Sequence, residues 1–348
     1  MFILVIGAIL ALLISFYLLN EVTEKYFIPS LDHIGHRLKM SDDAAGATLM
    51  AAGSSAPELF IAIIALIYGG DNFEIGVGTI VGSAIFNLLV IIGAVAFVKS
   101  AIVSWQPMLR DMIFYTISIG MLYWAFVSGT ITIWHVSVFI LVYIIYVVLV
   151  LNWNKIYDSG RMQIIEEEEE EDSKLKKIMS PLDFIISKLF RNESRYVFNF
   201  SISVFLIAML SWLLVESAVI ISESVGIPKY IIALTVLAFG TSVPDMMSSI
   251  IVAKQGRGGM AISNALGSNI FDILIGLGLP WLILFISTGK TFDVSASNIT
   301  SHITILLASV LGMFIILLIT KWKVNRWVGA IFLGSYLAYL IGVILQSS

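Results

Sequence analysis

Three carboxylates, Glu58, Asp245 and Asp272, stand inside apolar stretches that offer them no basic partner. Glu58 and Asp245 close two matching phrases, Ala47-Thr-Leu-Met-Ala-Ala-Gly-Ser-Ser-Ala-Pro-Glu58 and Leu234-Thr-Val-Leu-Ala-Phe-Gly-Thr-Ser-Val-Pro-Asp245. Each phrase is followed by a second echo, Gly82-Ser-Ala-Ile-Phe-Asn87 and Gly267-Ser-Asn-Ile-Phe-Asp272. An ionisable group in hydrocarbon costs roughly 2.5–3.5 kcal/mol on insertion scales, so repeated carboxylates beside hydroxyls and amides call for a cation or a proton.

The spacing says which oxygens can act together. Pro57 and Pro244 lack a backbone N–H, so the carbonyls of Gly53 and Gly240, four residues earlier, are expected to lose their helical partners. Ser54 precedes Glu58 by four residues and Thr241 precedes Asp245 by four. Ser83 and Asn87, and Ser268 and Asp272, share the same spacing, so each set falls on one helical face. Ser55 and Ser242 stand between hydroxyl and proline. All are hard oxygen donors, which suit calcium with its six to eight flexible oxygen ligands, and suit sodium as well. Prolines and glycines that merely kink helices would explain one motif; they do not explain acids at matching positions, because a kink needs no charge.

The elements that must hold these groups are membrane spans. Apolar residues make up 59% of the 348 positions and charged residues only 13%, a composition that excludes a soluble α/β enzyme. Ten segments approach the roughly 20 residues needed to cross a bilayer: about 2–19, 44–67, 76–98, 112–128, 131–151, 197–221, 231–253, 260–286, 300–319 and 327–345. The first has no basic lead or small-residue cleavage site and reads as a retained span. Trp105, Trp281, Trp322 and Trp327 fall near segment ends, as interfacial belt residues do.

Loop charge sets the expected orientation. Every Lys and Arg except Lys229 and Lys290 falls in the connections near 20–43, 99–111, 152–196, 254–259 and 320–326. The positive-inside rule makes these cytoplasmic and both termini extracytoplasmic. Five spans precede the connection 152–196 and five follow it, so the second half enters with opposite orientation. The expected fold is therefore an all-α polytopic membrane protein with ten transmembrane helices, arranged as two inverted five-helix repeats with broken helices at the ion site. The domains read as 1–151 (first repeat, inner repeat unit 46–93), a cytoplasmic linker 152–196, and 197–348 (second repeat, inner unit 233–281).

At these motifs the chain resembles the cation/calcium exchanger superfamily, whose paired repeats read Gly-(Ser/Thr)-Ser-x-Pro-(Glu/Asp) and then Gly-Ser-x-x-x-(Asn/Asp). The stretches Gly46–Phe60 and Gly267–Trp281 look most like the potassium-dependent sodium/calcium exchangers, and the compact loops suggest a prokaryotic member. The resemblance implies Glu58 and Asp245 as central calcium ligands, helped by Ser54, Ser55, Thr241 and Ser242. It implies Ser83, Asn87, Ser268 and Asp272, with the carbonyls of Ala51 and Ala238, as flanking sodium sites, and it makes the first and sixth spans the moving gate. The implied function is antiport of sodium against calcium by alternating access, with potassium as a candidate co-transported ion. Proton/calcium antiport is the alternative; a cation channel or an intramembrane hydrolase fits less of the sequence.

Charge poses the potassium question directly. Glu58, Asp245 and Asp272 sum to −3 if ionised, so one calcium leaves −1, which potassium or a proton on Asp272 could balance. Glu216 and its rough counterpart Glu21 lie toward span ends facing water; Glu216 reads as a solvated or capping group, with ion entry or gating as the sharper alternative. The acidic run Glu166–Asp172 reads as a solvated linker. No phosphate-binding loop or nucleic-acid patch is present, no prosthetic group is implied, and no obligate protein partner is evident; the partners are ions and the lipid bilayer.

Overall fold

The computed structural model describes residues 2–37, 51–156, 186–191, 195–254, 258–294 and 298–346. Gly46 to Met50 and the acidic run Glu166–Asp172 lie outside them. The described chain is mostly helical. In order it forms α1 (Phe2–Val22), a π-helical turn (Thr23–Phe27), α2 (Ile28–Arg37), α3 (Ala51–Ser54) and α4 (Ala56–Tyr68). Next come α5 (Phe73–Phe86), a π turn (Asn87–Ile91), α6 (Ile92–Val98), β1 (Ala101–Ile102), α7 (Trp105–Val127), β2 (Thr130–Ile131) and α8 (Ile133–Ile156). After the linker follow α9 (Tyr196–Val225), α10 (Lys229–Ile232), a π turn (Ala233–Leu237), α11 (Ala238–Lys254) and α12 (Gly258–Phe271). A π turn (Asp272–Leu277), α13 (Gly278–Thr288), β3 (Phe292–Asp293), α14 (Ile299–Ile319), β4 (Lys323–Val324) and α15 (Arg326–Gln346) complete it.

Among the described residues, seven helical stretches are long and apolar enough to cross a membrane: Ile3–Leu31, Phe73–Val98, Ile133–Trp153, Tyr196–Val225, Ala261–Thr288, Ile299–Ile319 and Arg326–Leu345. Two further segments, Ala56–Tyr68 and Lys229–Val243, are shorter apolar helices. The expected segment 112–128 corresponds to α7 up to Val127, and the first turns of that helix carry Arg110 and Asp111.

Burial separates the helices by role. Phe73–Val98 is buried on nearly all sides, whereas α1, α8, α14 and α15 leave most of their apolar surface outward, as lipid-facing helices do. One apolar cluster joins α5 to α8 with α12 to α15; a second joins α1, α2, α4 and α9. Residues 230–237 serve both, since Tyr230, Ile231 and Leu234 join the first cluster while Ile232, Ala233 and Leu237 join the second. Helices α1 and α9 lie along each other, and α1 also rests on α11, where Phe16 fills the space a side chain at Gly240 would need.

Two short antiparallel strand pairs tie the halves together outside the helices. β1 pairs with β4 (Ala101↔Val324, Ile102↔Lys323), and β2 pairs with β3 (Thr130↔Asp293, Ile131↔Phe292).

Small residues let α5 cross the second half at backbone distance. A Cβ at Gly82 would stand 2.5 Å from the Leu234 carbonyl and 2.7 Å from Ala238 Cβ, and one at Gly78 would stand 2.9 Å from Ala233 Cβ. Such close crossing is how membrane helices gain packing energy when lipid removes the hydrophobic drive. Gly267, the counterpart of Gly82, has only the Tyr146 hydroxyl at 3.5 Å.

Three expectations need correction. Trp281 is not a belt residue: it is 2% exposed and packs on Phe139 of α8, so its ring is enclosed by protein. Glu21 does not face water; it is only 8% exposed and its charge is met by Lys25 one turn on. The prolines also act unequally. The first copy is interrupted at Ser55 (φ −91°, ψ 5°), two residues before Pro57, whereas α11 runs unbroken through position 244. In that second copy the distortion sits upstream in the Ala233–Leu237 turn, and the Thr241 hydroxyl donates to the Leu237 carbonyl at 3.2 Å, the kind of adjustment that keeps a proline helix satisfied in lipid.

The asymmetry of the glycines is testable. Gly82→Ala should lower stability by about 1–3 kcal/mol through overpacking, while Gly267→Ala should stay within about 0.5 kcal/mol of the parent. Thermal melting of the detergent-solubilised variants measures both; equal melting temperatures would contradict the close crossing at Gly82.

Candidate cation site

The two copies meet by exchanging hydroxyls. Ser55 Oγ lies 2.8 Å from Ser268 Oγ, and Ser83 Oγ lies 2.6 Å from Ser242 Oγ. Ser55 and Ser242 occupy the same place in the first motif, and Ser83 and Ser268 the same place in the second. Each contact therefore joins the first motif of one half to the second motif of the other.

Two of the carboxylates, Glu58 and Asp272, lie beside these pairs. Glu58, in the first turn of α4, has the hydroxyls of Thr241 and Ser83 within hydrogen-bonding reach and the Asp272 charge nearby. Asp272 opens its π turn and is approached by the Ser55 hydroxyl. Asp245, partly buried in α11, feels the charge of Glu58 and also that of Glu24, which lies in the Thr23–Phe27 turn after α1. Glu58 and Asp272 are only 2% and 1% exposed.

Four of the buried oxygens show what the arrangement is short of. Glu58 Oε2, Asp272 Oδ1 and Asn87 Oδ1 have no hydrogen-bond partner, and one turn beyond Asp245 the same holds for Ser249 Oγ. A buried acceptor without a donor costs on the order of 1–3 kcal/mol, more when charged. Acceptors of this kind, buried in an apolar surrounding, are what a bound cation satisfies. Among the described residues no three His, Asp or Glu side chains converge as a metal-binding set, so most ligands would be hydroxyl, amide and carbonyl oxygens.

Backbone distortion adds to the donor supply. The π turns at Asn87 and Asp272 begin at corresponding residues of the two copies. At the first, the Ile92 N–H reaches back five residues to the Asn87 carbonyl, which shifts the neighbouring carbonyls out of register. Turns of this type collect at functional sites. Ala51 and Ala238, expected to offer carbonyls, are the first residues of α3 and α11. Ser54 is half-buried at the end of α3.

Sequence reasoning missed two buried members. Asn269 (0% exposed) accepts from Asn87 Nδ2 at 2.9 Å, and donates to the Ala84 carbonyl at 3.2 Å and the Tyr115 hydroxyl at 3.0 Å. The signal was present in Gly267-Ser-Asn-Ile-Phe-Asp272, where the other copy has Ala84; an amide in an apolar helix requires partners. Tyr115 carried no such signal, since its role depends on α7 crossing the site. Glu216 accepts from the Tyr68 hydroxyl at 2.6 Å, away from this cluster.

A multi-span helical protein with buried, uncompensated oxygens at a crossing of two similar motifs has the make-up of a cation transporter. The comparisons are more specific. The family described as sodium/calcium exchanger protein matches residues 8–152 and 196–345, and the chain belongs to that family. It is 31% identical to human sodium/potassium/calcium exchanger 5, over 95% of this chain and 82% of the relative, and 28% identical to human sodium/potassium/calcium exchanger 4, over 95% and 80%. Among solved structures, the fold is similar to the H+/Ca2+ exchanger CAX (TM-score 0.71, 17% identity, covering 96% of this chain and 82% of that one). It is also similar to the sodium-calcium exchanger NCX_Mj (TM-score 0.57, 23% identity, covering 99% and 100%).

Binding can be read without transport. A cation bound at 100 times its dissociation constant stabilises the folded protein by about 2.7 kcal/mol. Calcium should therefore raise the melting temperature of the parent, and Glu58→Gln should abolish the rise while leaving the ion-free protein folded. An undiminished calcium shift in Glu58→Gln would remove this carboxylate from the site.

Proposed function

We propose that the chain exchanges sodium for calcium across a cell membrane by alternating access at one site shared between its halves. The observation that carries this reading is the set of unpartnered oxygens of Glu58, Asn87 and Asp272 beside the two cross-paired serine contacts. Glu58 and Asp245 are the central calcium ligands, with Ser54, Ser55, Thr241 and Ser242. Sodium reuses these oxygens together with Ser83, Asn87, Ser268, Asp272 and the carbonyls of Ala51 and Ala238. Shared ligands are the coupling: the two ions compete, so one set leaves before the other binds.

The architecture in this reading is ten spans in two inverted repeats, 1–151 and 197–348, joined by the cytoplasmic linker 152–196, with both termini extracytoplasmic. The strand pairs support it. β1 and β4 lie in connections rich in Lys and Arg, while β2 and β3 lie in connections nearly free of them, so each pair joins loops assigned to one side.

Potassium balances the third negative charge in this scheme, as the names of the sodium/potassium/calcium exchanger relatives suggest. A second reading, proton/calcium antiport, is favoured by the higher structural similarity to the H+/Ca2+ exchanger. There a proton on one of the same carboxylates replaces sodium.

Calcium flux in proteoliposomes with independently imposed sodium, potassium and proton gradients separates these readings. Sodium-driven calcium uptake is expected, lost in both Glu58→Gln and Asp245→Asn; uptake driven by a pH gradient without sodium would select the proton reading instead. Uptake should also require potassium, and Asp272→Asn should remove that requirement. Unchanged uptake on potassium withdrawal would assign the balancing charge to a proton.

A further inference from the structure

A side-chain amide presents an oxygen or a nitrogen to a site according to a half-turn that alters its shape very little. Asn87 can ligate a cation only with Oδ1 turned to it; the other orientation presents two N–H groups, which repel a cation. Its neighbours decide between the two. The Ala84 carbonyl can only accept, so the Asn269 atom 3.2 Å from it is the nitrogen. The same nitrogen lies 3.0 Å from the Tyr115 oxygen, and the Tyr115 hydroxyl donates to the Ala84 carbonyl at 3.2 Å. Asn269 Oδ1 is thereby aimed at Asn87, at 2.9 Å, where only a donor fits. Asn87 gives its nitrogen to this contact. Its oxygen is left buried and unpartnered, on the helix that carries Ser83 one turn earlier.

From this chain of contacts we infer that Asn269, locked by Tyr115 and the Ala84 carbonyl, is a positioning residue that holds the Asn87 amide with its oxygen toward the ion. The sequence asymmetry follows the same logic. Asp272, the counterpart of Asn87, presents an oxygen in either orientation and needs no such clamp. Ala84, the counterpart of Asn269, contributes only its carbonyl, and that carbonyl is the fixed point of the network. The clamp thus sits in one copy and acts on the other. The inference rests on the reading that Asn87 ligates the sodium that drives exchange.

The test measures sodium-driven calcium uptake in proteoliposomes, as half-saturating sodium and maximal rate, for the parent, Asn269→Leu, Tyr115→Phe, Asn87→Asp and the double variant Asn87→Asp/Asn269→Leu. Losing a neutral dipole's contact to an ion corresponds to about a tenfold weakening. Asn269→Leu should therefore raise half-saturating sodium about tenfold with little change in maximal rate, and Tyr115→Phe, which keeps the shape and loosens the lock, about two- to threefold. With Asp at position 87 either orientation offers oxygen, so adding Asn269→Leu to Asn87→Asp should alter half-saturation by less than about twofold. A merely structural Asn269 would weaken both backgrounds alike, and that result overturns the inference, as do unchanged sodium values in both Asn269→Leu and Tyr115→Phe. Should Asn269→Leu fail to fold, Tyr115→Phe and its sodium-induced melting shift decide alone. Absence of sodium-driven uptake in the parent overturns the exchange reading itself, a failure distinct from that of the clamp.

Discussion

An acid in hydrocarbon must find a positive partner or give up its charge, and among the described residues no lysine or arginine partners the buried oxygens Glu58 Oε2 and Asp272 Oδ1. The described basic side chains with buried acid partners serve other acids: Lys25 meets Glu21, and Arg110 meets Asp111 at 2.7 Å. The crossing of the two halves is organised around this deficit. Hydroxyls close the gaps between motifs, glycines bring the backbones near, and the remaining oxygens stay unmatched. A permanent internal cation would stabilise the fold more simply. It would also remove the reason for an exchangeable ion to come and go.

The polar cluster was legible in the sequence because its demands are chemical. Repeated acids at fixed spacing from hydroxyls have few explanations in an apolar chain, and Glu58, Ser83, Thr241, Ser242, Ser55, Ser268 and Asp272 do gather. Seven of the ten expected spans are matched among the described residues by helices long and apolar enough to cross a membrane. What escaped was everything that depends on one helix lying beside another. The partnership of Tyr115 with Asn269 needs α7 to cross α12 at a given height, which no local pattern encodes. The π turns escaped for a related reason: their residues are ordinary helix formers, and the extra residue per turn is set by what the turn packs on. Proline gave a partial answer, since it removes one donor but leaves the surroundings to decide whether the chain breaks, as at Ser55, or bends upstream, as before Ala238.

The two copies are alike in plan and unlike in detail, and the differences are interdependent. Where one copy has Asn87 the other has Asp272; where one has Ala84 the other has Asn269; where one needs Gly82 the other leaves room at Gly267. An amide requires orienting and a carboxylate does not, so a change at one position shifts the requirement at another across the crossing.

The strand pairs carry a consequence of a mechanical kind. Each pair is only two residues long, yet both fasten connections belonging to the first apolar cluster, and neither includes α1 or α9. They act as staples on one block of the molecule and leave the other block unstapled. The turns that form them are therefore held to a fixed length, because an inserted residue in either partner puts the pairing out of step. Among the described residues neither staple draws on the link between α8 and α9, so a change of length in that link leaves both pairings in register.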